Sequence, residues 1–246
     1  MKTIILLGPA GSGKSFLAGA LFQQLREHGF DALILNLDPA AITYPYEAPD
    51  ISIRKYVRTE RVMRRFGLGP NGALIASMDI AVKFAKRLRR DILAQGPEIL
   101  IVDTPGQLEI FVFRRAGEII LKESILSITD NRCMALFLFD PFLCDNSNSM
   151  LSLLLLAMSA FLRIRIPMIG ALTKIDLLSH EEKHKIWNML NNPKQLLASE
   201  DFDSVFSAIK RIDPRAIKID VWPVSSVSGE GLEAILMKIE DILGEE

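Results

Sequence analysis

The chain contains few of the residues that crosslink small secreted proteins. It has two cysteines and three histidines in 246 residues. So few cysteines argue against a disulfide framework, and we expect Cys133 and Cys144 to be free thiols that pack in the interior. Free thiols are typical of a reducing compartment, so the expected location is cytoplasmic.

The chain also lacks an excess of either charge and a long apolar run. Its 29 basic and 30 acidic residues give a net charge of -1. No global positive field therefore favours a nucleic-acid partner, and no acidic tail favours a solvating one. The longest apolar run, residues 150–162, is shorter than the roughly 20 residues of a membrane span. The apolar N-terminus ends at Gly8-Pro9 without a cleavage site, which favours a first strand over a signal peptide. We therefore expect no membrane helix.

The apolar residues that are present follow the pattern of an α/β fold. They make up 49% of the chain, enough for a single domain over residues 1–246. Short apolar runs alternate with longer helical patterns, which is typical of a doubly wound, mostly parallel sheet flanked by helices. The predicted strands are residues 3–7, 32–37, 99–102, 134–139, 168–172 and 219–224. The predicted helices are residues 13–27, 73–93, 108–127, 147–163, 181–190 and 231–243.

Two long connections interrupt this alternation. The first insertion covers about residues 40–95 and contains Gly69-Pro-Asn-Gly72 after an arginine-rich stretch. The second insertion covers about residues 191–218 and contains no recognisable motif. Long connections in compact domains are commonly functional, although Pro-Asn-Gly is also ordinary turn chemistry.

The strongest motif follows the first predicted strand. Gly8-Pro-Ala-Gly-Ser-Gly-Lys-Ser15 fits the pattern G-x-x-x-x-G-K-[ST] between a strand and a helix. In such a loop, backbone N–H groups and the helix N-terminus attract phosphate oxygens, the lysine reaches the β- and γ-phosphates, and the serine can bind Mg²⁺. The predicted phosphate-binding residues are Gly8, Gly11, Ser12, Gly13, Lys14 and Ser15.

Acidic residues follow two further predicted strands at the same edge of the sheet. In Asp103-Thr-Pro-Gly-Gln107, Asp103 can hold Mg²⁺ through water, the Gly106 N–H can approach the γ-phosphate, and Gln107 can orient an attacking water. Asp38, after the second strand, could polarise that water or help to hold Mg²⁺. A simple turn is the alternative for residues 103–107, and a turn or helix cap is the alternative for Asp38.

A third motif predicts the base. Thr173-Lys-Ile-Asp176 resembles the guanine-reading N-K-x-D motif of GTPases, with threonine in place of asparagine. Asp176 could accept two N–H bonds from guanine, and Lys174 could lay its stem along the base. We expect Thr173 to brace the loop less well than asparagine, and an ordinary surface turn is the alternative. Ser225 and Ser226, after the last predicted strand, occupy the place of the loop that closes over the base.

Together these motifs resemble a known family. Residues 8–15, Asn36-Leu-Asp-Pro-Ala40, 69–72, 103–107 and 173–176 occur in the order found in the GPN-loop GTPases. The resemblance covers most of the chain and implies a P-loop NTPase fold, GTP hydrolysis with Mg²⁺ and a nucleotide-dependent homodimer.

The same resemblance implies roles for individual residues. Asn71 of one subunit would reach the phosphates bound by the other subunit. Asp38 and Gln107 would act on the attacking water, and Lys14 would neutralise the charge that develops on the phosphates. GTP and GDP would bind with Mg²⁺ held near Ser15, Asp38 and Asp103.

A biological role also follows from the resemblance. Eukaryotic members are linked to RNA polymerase assembly, so the expected output is a switch that acts on a protein client of that kind. The chain ends soon after its last predicted helix, which resembles the compact archaeal form. Two alternatives stay open, a nucleotide-gated scaffold or chaperone with slow hydrolysis and a small-molecule kinase. Asp176 and the lack of a lid-like arginine cluster disfavour the kinase.

Other patterns have simpler interpretations. His180-Glu-Glu-Lys-His184 fits the zinc motif H-E-x-x-H, but a capping box at Ser179 predicts the start of a surface helix. The basic stretches 54–65 and 83–90 lack interleaved aromatic residues, so we interpret them as solvated helix faces and do not expect direct nucleic-acid binding. The apolar helix after residue 147 should be buried within the monomer or between subunits.

Overall fold

Seven parallel strands form the centre of the part of the chain that the structure describes. The computed structural model describes residues 1–191 and 220–244. The strands are β1 (Lys2–Leu7), β2 (Ala32–Asn36), β3 (Ile51–Ser52), β4 (Ile99–Asp103), β5 (Cys133–Phe139), β6 (Met168–Leu172) and β7 (Val221–Pro223). They form one sheet in the order β3-β2-β4-β1-β5-β6-β7. The predicted doubly wound α/β fold is confirmed, and β3, which is too short to show periodicity, was not predicted.

Helices cover both faces of the sheet. Within the described residues they are α1 (Lys14–Glu27), α2 (Thr59–Phe66), α3 (Pro70–Ala81), α4 (Ala85–Gln95), α5 (Leu108–Val112), α6 (Arg115–Ser124), α7 (Ser147–Ile164), α8 (His180–Asn191) and α9 (Leu232–Gly244). In β1, Ile4 and Leu6 join the core formed with α1 and α9, whereas Ile5 and Leu7 join the core on the opposite face. Burial on both faces explains why the strands have continuous rather than alternating hydrophobicity.

Two of the predicted helices are interrupted. Helix 73–93 begins earlier, at Pro70, and is divided by a 3-10 turn at Val82–Phe84, where the Phe84 ring stacks on Tyr56 with centroids 5.2 Å apart. Helix 108–127 is divided into α5 and α6, because α6 folds back until Gly117 contacts the Phe111 carbonyl with no room for a Cβ. Hydrophobic periodicity does not register such tertiary contacts.

The structure describes the first predicted insertion but not the second. The first contains β3, α2, α3 and α4, so it is largely helical. The second predicted insertion, after Asn191, lies outside the described residues, as does the first part of the predicted strand 219–224. The single domain over residues 1–246 stays a prediction.

Helix α7 belongs to the core. It is the one helix in the two described ranges that is long and apolar enough to cross a membrane by length and composition. Its buried Met150, Leu153, Ala157 and Ala160 recur at helical spacing in the core against the sheet, and core helices of this kind pass the same criterion. The expectation of no membrane partner stays a prediction.

Both cysteines are free and buried, as predicted. Burial raises the pKa of each thiol, Cys133 and Cys144, to about 12. A thiolate is therefore disfavoured at both positions near neutral pH. Their role is packing rather than chemistry.

Candidate nucleotide-binding site

The loop between β1 and α1 is shaped by its glycines. Gly11 and Gly13 have φ values of 80° and 93°, a left-handed region that residues with a Cβ rarely adopt. Gly8 lies so close to β5 that an added Cβ would come within 3.0 Å of the Leu138 carbonyl oxygen and 2.8 Å of Ser12 Oγ. The shape of the loop therefore requires these glycines.

Lys14 begins α1 and supports this loop. It is 5% exposed, and its Nζ donates hydrogen bonds of 2.8 Å to the carbonyl oxygens of Gly8 and Pro9. Burial lowers the pKa of Lys14 to about 8, and the carboxylates of Asp103 and Asp38 oppose that shift. Because these hydrogen-bond partners are neutral, the positive charge of the ammonium can attract a bound phosphate.

Asp103 ends β4 directly beside the loop. It is 1% exposed, and burial raises its pKa. Its Oδ2 accepts a hydrogen bond of 3.0 Å from the Tyr46 hydroxyl, and the Ser15 hydroxyl interacts with the same carboxylate. Its Oδ1 is buried without a hydrogen-bond partner. An unpaired buried carboxylate oxygen is unfavourable, so Oδ1 is a ready acceptor for a ligand.

Asp38 lies after β2, at the end of the next strand along the sheet. Its Oδ1 accepts a hydrogen bond of 2.8 Å from the Ala40 N–H, and the Gly106 backbone interacts with the same carboxylate. Burial raises the pKa of Asp38, and these backbone contacts together with Lys14 and Arg54 oppose the shift. The two backbone contacts connect the loops after β2 and β4.

These oxygen atoms fit a magnesium ion that binds together with phosphates. Mg²⁺ prefers oxygen ligands and keeps several waters in nucleotide sites, so it needs few protein ligands. Ser15, Asp38 and Asp103 lie within interaction range of Lys14 or of one another and offer such oxygens. Across residues 1–191 and 220–244, no group of three or more His, Cys, Asp or Glu side chains forms a separate metal site.

An open cleft joins these groups. Its volume is about 530 Å³, and its walls include Gly11, Gly13, Lys14, Asp38 and Gly106. The structure thus places the phosphate-binding loop and the two acidic loops around one space at the carboxyl edge of the sheet, where parallel sheets bind ligands.

Arg54 fastens one wall of this cleft. Its Nη1 donates a hydrogen bond of 2.7 Å to the Pro39 carbonyl oxygen, and its guanidinium pairs with both oxygens of Glu60 at 3.2 and 2.8 Å. Its side chain is only 15% exposed, so the prediction of a solvated basic face is wrong for Arg54. A planar guanidinium can bind a carbonyl and a carboxylate at once, and here it joins the turn after Asp38 to α2.

Thr173, at the end of β6, contacts the phosphate-binding loop. Its hydroxyl lies 2.9 Å from the Ser12 carbonyl oxygen and 3.2 Å from that of Phe139. A hydroxyl donates only one hydrogen, and the Phe139 oxygen already accepts the Thr173 N–H at 2.9 Å. The Ser12 oxygen is therefore the partner that depends on the hydroxyl, and threonine still links the two loops.

Lys174 and Asp176 have different surroundings. Lys174 has a left-handed backbone, with φ 56°, and its Nζ forms a salt bridge of 2.8 Å with Asp140. Asp140 follows β5 and also accepts the Phe142 N–H at 3.1 Å. Asp176 is exposed. Its carboxylate can therefore face a base that enters from solvent.

The loop after β7 lies beside this motif. The Ile175 N–H approaches the Val224 carbonyl oxygen at 3.5 Å. The buried Ser225 Oγ accepts N–H groups of its own turn at 3.2 and 3.0 Å, so its hydroxyl serves the turn. Ser226 is half-buried and lines a neighbouring cleft with Phe16.

The Gly-Pro-Asn residues start helix α3. Gly69 precedes the helix, no side chain caps its N-terminus, and Pro70 occupies its first turn, where proline is favoured. The exposed Asn71 accepts a hydrogen bond of 3.3 Å through Oδ1 from Gln107 Nε2 of the same chain. The structure brings Asn71 and Gln107 together, and contact with a second subunit stays a prediction.

Tyr46, Arg54 and Asp140 are site residues that the motifs did not reveal. Asp140 could have been found, because it follows a strand at the same edge as Asp38 and Asp103. Tyr46 lies in a segment without regular structure and contacts a residue 57 positions away. No local pattern predicts such a contact.

The H-E-x-x-H pattern lies on α8, as a surface helix start. Ser179 and Glu182 form the predicted capping box, with the Ser179 N–H and hydroxyl donating to Glu182 Oε2 at 2.8 and 2.7 Å. His184 Nδ1 lies 3.0 Å from Asn188 Nδ2 on the next turn of the helix. These residues therefore take part in contacts within the helix and at its N-terminus.

Comparisons with known proteins agree with this geometry. The family described as "Conserved hypothetical ATP binding protein" matches residues 6–245. GPN-loop GTPase 3 of Kluyveromyces lactis is 32% identical over 97% of this chain and 90% of that protein. GPN-loop GTPase 3 of Saccharomyces cerevisiae is 31% identical over 97% of this chain and 91% of that protein.

A solved structure is also similar. An apo-form GTPase from Pyrococcus abyssi has a TM-score of 0.82 and 27% identity, covering 98% of this chain and 97% of that chain. The resemblance inferred from the motifs is confirmed. The family description refers to ATP, whereas the named relatives are GTPases.

Proposed function

This chain belongs to the GPN-loop GTPase family, and from that membership we propose that it is a Mg²⁺-dependent GTPase that works as a homodimeric switch. The predicted enzyme class, a GTPase, is confirmed by the membership. The observation that carries the proposal is the phosphate-binding loop with buried Lys14 beside the unpaired Oδ1 of Asp103.

The residues around the cleft bind the phosphates, the attacking water and the metal ion. The N–H groups of residues 11–15 bind the phosphate oxygens, and Lys14 neutralises charge that develops on them. Asp38 and Gln107 hold and polarise a water that attacks the γ-phosphorus in line. The bond from this phosphorus to the bridging oxygen breaks, and GDP and inorganic phosphate leave. Mg²⁺, held by Ser15 with Asp103 and Asp38, would neutralise phosphate charge.

Base selection is assigned to the other half of the same sheet edge, after β6 and β7. Asp176 accepts N–H groups of guanine, while Lys174 and Thr173 hold the loop, through Asp140 and the Ser12 carbonyl oxygen respectively. Ser225 and Ser226 close over the base. The bound nucleotide is therefore GTP before hydrolysis and GDP after it.

A second copy of the chain completes the site in this proposal. The first N–H groups of α3, at Asn71 and Gly72, have no side-chain cap and lie at an exposed helix N-terminus, which favours anions. Asn71 would approach the phosphates of the partner subunit. Its contact with Gln107 would connect that approach to the water in its own subunit.

The output of the switch is action on a protein client. From the family resemblance, the client is a protein related to RNA polymerase assembly, in the cytoplasm. The free buried thiols Cys133 and Cys144 accord with a reducing compartment. Neither membrane nor nucleic acid is a proposed partner.

The test is Mg²⁺-dependent phosphate release from GTP and from ATP, measured side by side over a protein dilution series. We expect release from GTP only, with specific activity that falls as the protein is diluted, because a dimer dissociates. Equal use of both nucleotides would contradict base selection by Asp176. Activity that is independent of concentration, in a chain shown by sedimentation to be monomeric throughout, would contradict the homodimer.

A further inference from the structure

The segment between β2 and β3 crosses the nucleotide cleft without regular secondary structure. Its residues 43–45 line the cleft, whereas Tyr46 is turned inward. The Tyr46 hydroxyl donates a hydrogen bond of 3.0 Å to Asp103 Oδ2. One polar contact thus attaches this segment to the floor of the site.

A slot in α1 receives the Tyr46 ring. A Cβ added at Gly19 would lie 3.2 Å from Tyr46 Cβ and 3.3 Å from Cδ1. Glycine inside a helix is unfavourable relative to alanine, so its presence here fits a need for close approach. Tyr44 stacks on the same ring, with centroids 5.3 Å apart and planes 23° apart. These contacts fix the direction of the Tyr46 hydroxyl.

The hydrogen bond from Tyr46 distinguishes the two oxygens of Asp103. Oδ2 accepts the hydroxyl, and Oδ1 is buried without a partner. A carboxylate otherwise turns readily about its last side-chain bond. With Oδ2 held, Oδ1 is the oxygen that remains for a hydrated ion.

We propose that Tyr46 is a positioning residue for the magnesium site. Its hydroxyl holds Asp103 with Oδ1 directed to the hydrated ion, so binding of the ion is coupled to the position of residues 41–50 over the cleft. The inference rests on the proposed function, because its ligand is a Mg²⁺ nucleotide. Tyr46 acts through Asp103 and does not touch the nucleotide.

The test compares Tyr46→Phe with Tyr56→Phe. The first change removes the hydroxyl and keeps the ring in the Gly19 slot. The control removes a hydroxyl that donates to Asp91 Oδ2 at 2.7 Å, outside the residues that line the cleft, and should leave the Mg²⁺ requirement unchanged. Binding of fluorescently labelled GDP is measured against Mg²⁺ concentration and again in EDTA. Tyr46→Phe should need about tenfold more Mg²⁺ for half-maximal binding, the expected loss for a hydrogen bond to a charged group, with unchanged affinity in EDTA.

The outcomes separate the inference from the function on which it rests. An unchanged Mg²⁺ requirement in Tyr46→Phe would overturn the inference, and so would an equal loss of affinity with and without Mg²⁺. Absence of Mg²⁺-dependent GDP binding in the unaltered chain would overturn the proposed function and the inference with it. Gly19→Ala, which crowds the ring and keeps the hydroxyl, should raise the Mg²⁺ requirement in the same direction. A normal requirement there would contradict the role of the slot.

Discussion

The two halves of the ligand-binding edge differ in how their polar groups are satisfied. Beside β1, β4 and β2, Lys14 has neutral partners and Asp103 Oδ1 has none. Beside β5, β6 and β7, Lys174 pairs with Asp140, and Ser225 Oγ accepts two backbone N–H groups. The phosphate half therefore contains charge that is buried without full compensation, whereas the base half is largely complete in itself.

This difference indicates where binding energy arises. Removing charged groups from water is unfavourable unless they are paired, so phosphates and their cation relieve a cost that the phosphate half already carries. In the base half, Asp176 is exposed, so we expect its contact with the base to contribute mainly selectivity. We therefore expect changes in the first half to reduce affinity and turnover, and changes in the second to alter which nucleotide is preferred.

The largest effect is expected for Lys14→Ala. Loss of the buried ammonium removes a group that stabilises the transferring phosphoryl, so GTP hydrolysis should fall by about 100- to 1,000-fold. Phosphate release under single-turnover conditions measures it. Lys238→Ala on α9, whose lysine pairs only loosely with Asp241 at 3.8 Å, is the control and should be unaffected. Near-normal hydrolysis in Lys14→Ala would refute the assignment of the phosphate half.

Asp176→Asn tests the base half. The asparagine amide donates a hydrogen bond at one of the two positions where the carboxylate accepts one. Preference should therefore move from guanine to xanthine nucleotides by at least about tenfold. Competition binding with GDP and XDP measures the shift, and Asp145→Asn at another exposed position is the matched control. GDP affinity equal to that of the unaltered chain would show that this carboxylate does not read the base.

Asp38→Asn tests the second acidic residue of the phosphate half. The amide oxygen can still accept the Ala40 N–H, while the negative charge near the attacking water is lost. Turnover should fall by about tenfold or more, and the affinity for GDP in the presence of Mg²⁺ should fall as well, because Asp38 is also assigned to the magnesium site. Steady-state hydrolysis and GDP titration give the two values. Normal turnover would show that Asp38 only stabilises the turn after β2.

Thr173→Val tests the link between the halves and has the smallest expected effect. The Ser12 carbonyl oxygen loses its hydroxyl partner, which should lower the free energy of unfolding by about 1 kcal/mol. Denaturant unfolding measures the change, with Thr173→Ser as the control that keeps the hydroxyl. Identical midpoints for valine and serine would show that the 2.9 Å contact contributes little.

The sequence was informative where function depends on adjacent residues. The phosphate-binding loop and Asp103 were predictable, because the loop needs its glycines in fixed spacing and because ligands gather at the carboxyl ends of parallel strands. The doubly wound sheet followed from apolar runs, since burial on both faces leaves a continuous pattern.

The remaining features depend on contacts between distant residues. The division between α5 and α6 arises from the approach of Gly117 to the Phe111 carbonyl, and the Tyr46 contact with Asp103 joins two separate segments. Neither changes local periodicity or turn chemistry. The solvated position predicted for Arg54 is wrong for the same reason. The sequence of a charged stretch does not show which of its residues has a buried partner.

The central position of β1 also has a consequence during synthesis on the ribosome. Its residues pair with β4 from Ile99 onward and with β5 from Cys133 onward, so neither neighbour exists when β1 emerges. At roughly 5 to 20 residues per second, the wait for β5 is on the order of ten seconds. During that time the apolar residues Ile4 to Leu7 of β1 have no neighbouring strand. We therefore expect β1 to be bound by a chaperone, or to remain unfolded, until β5 has been synthesised. Nucleotide binding can follow only after that.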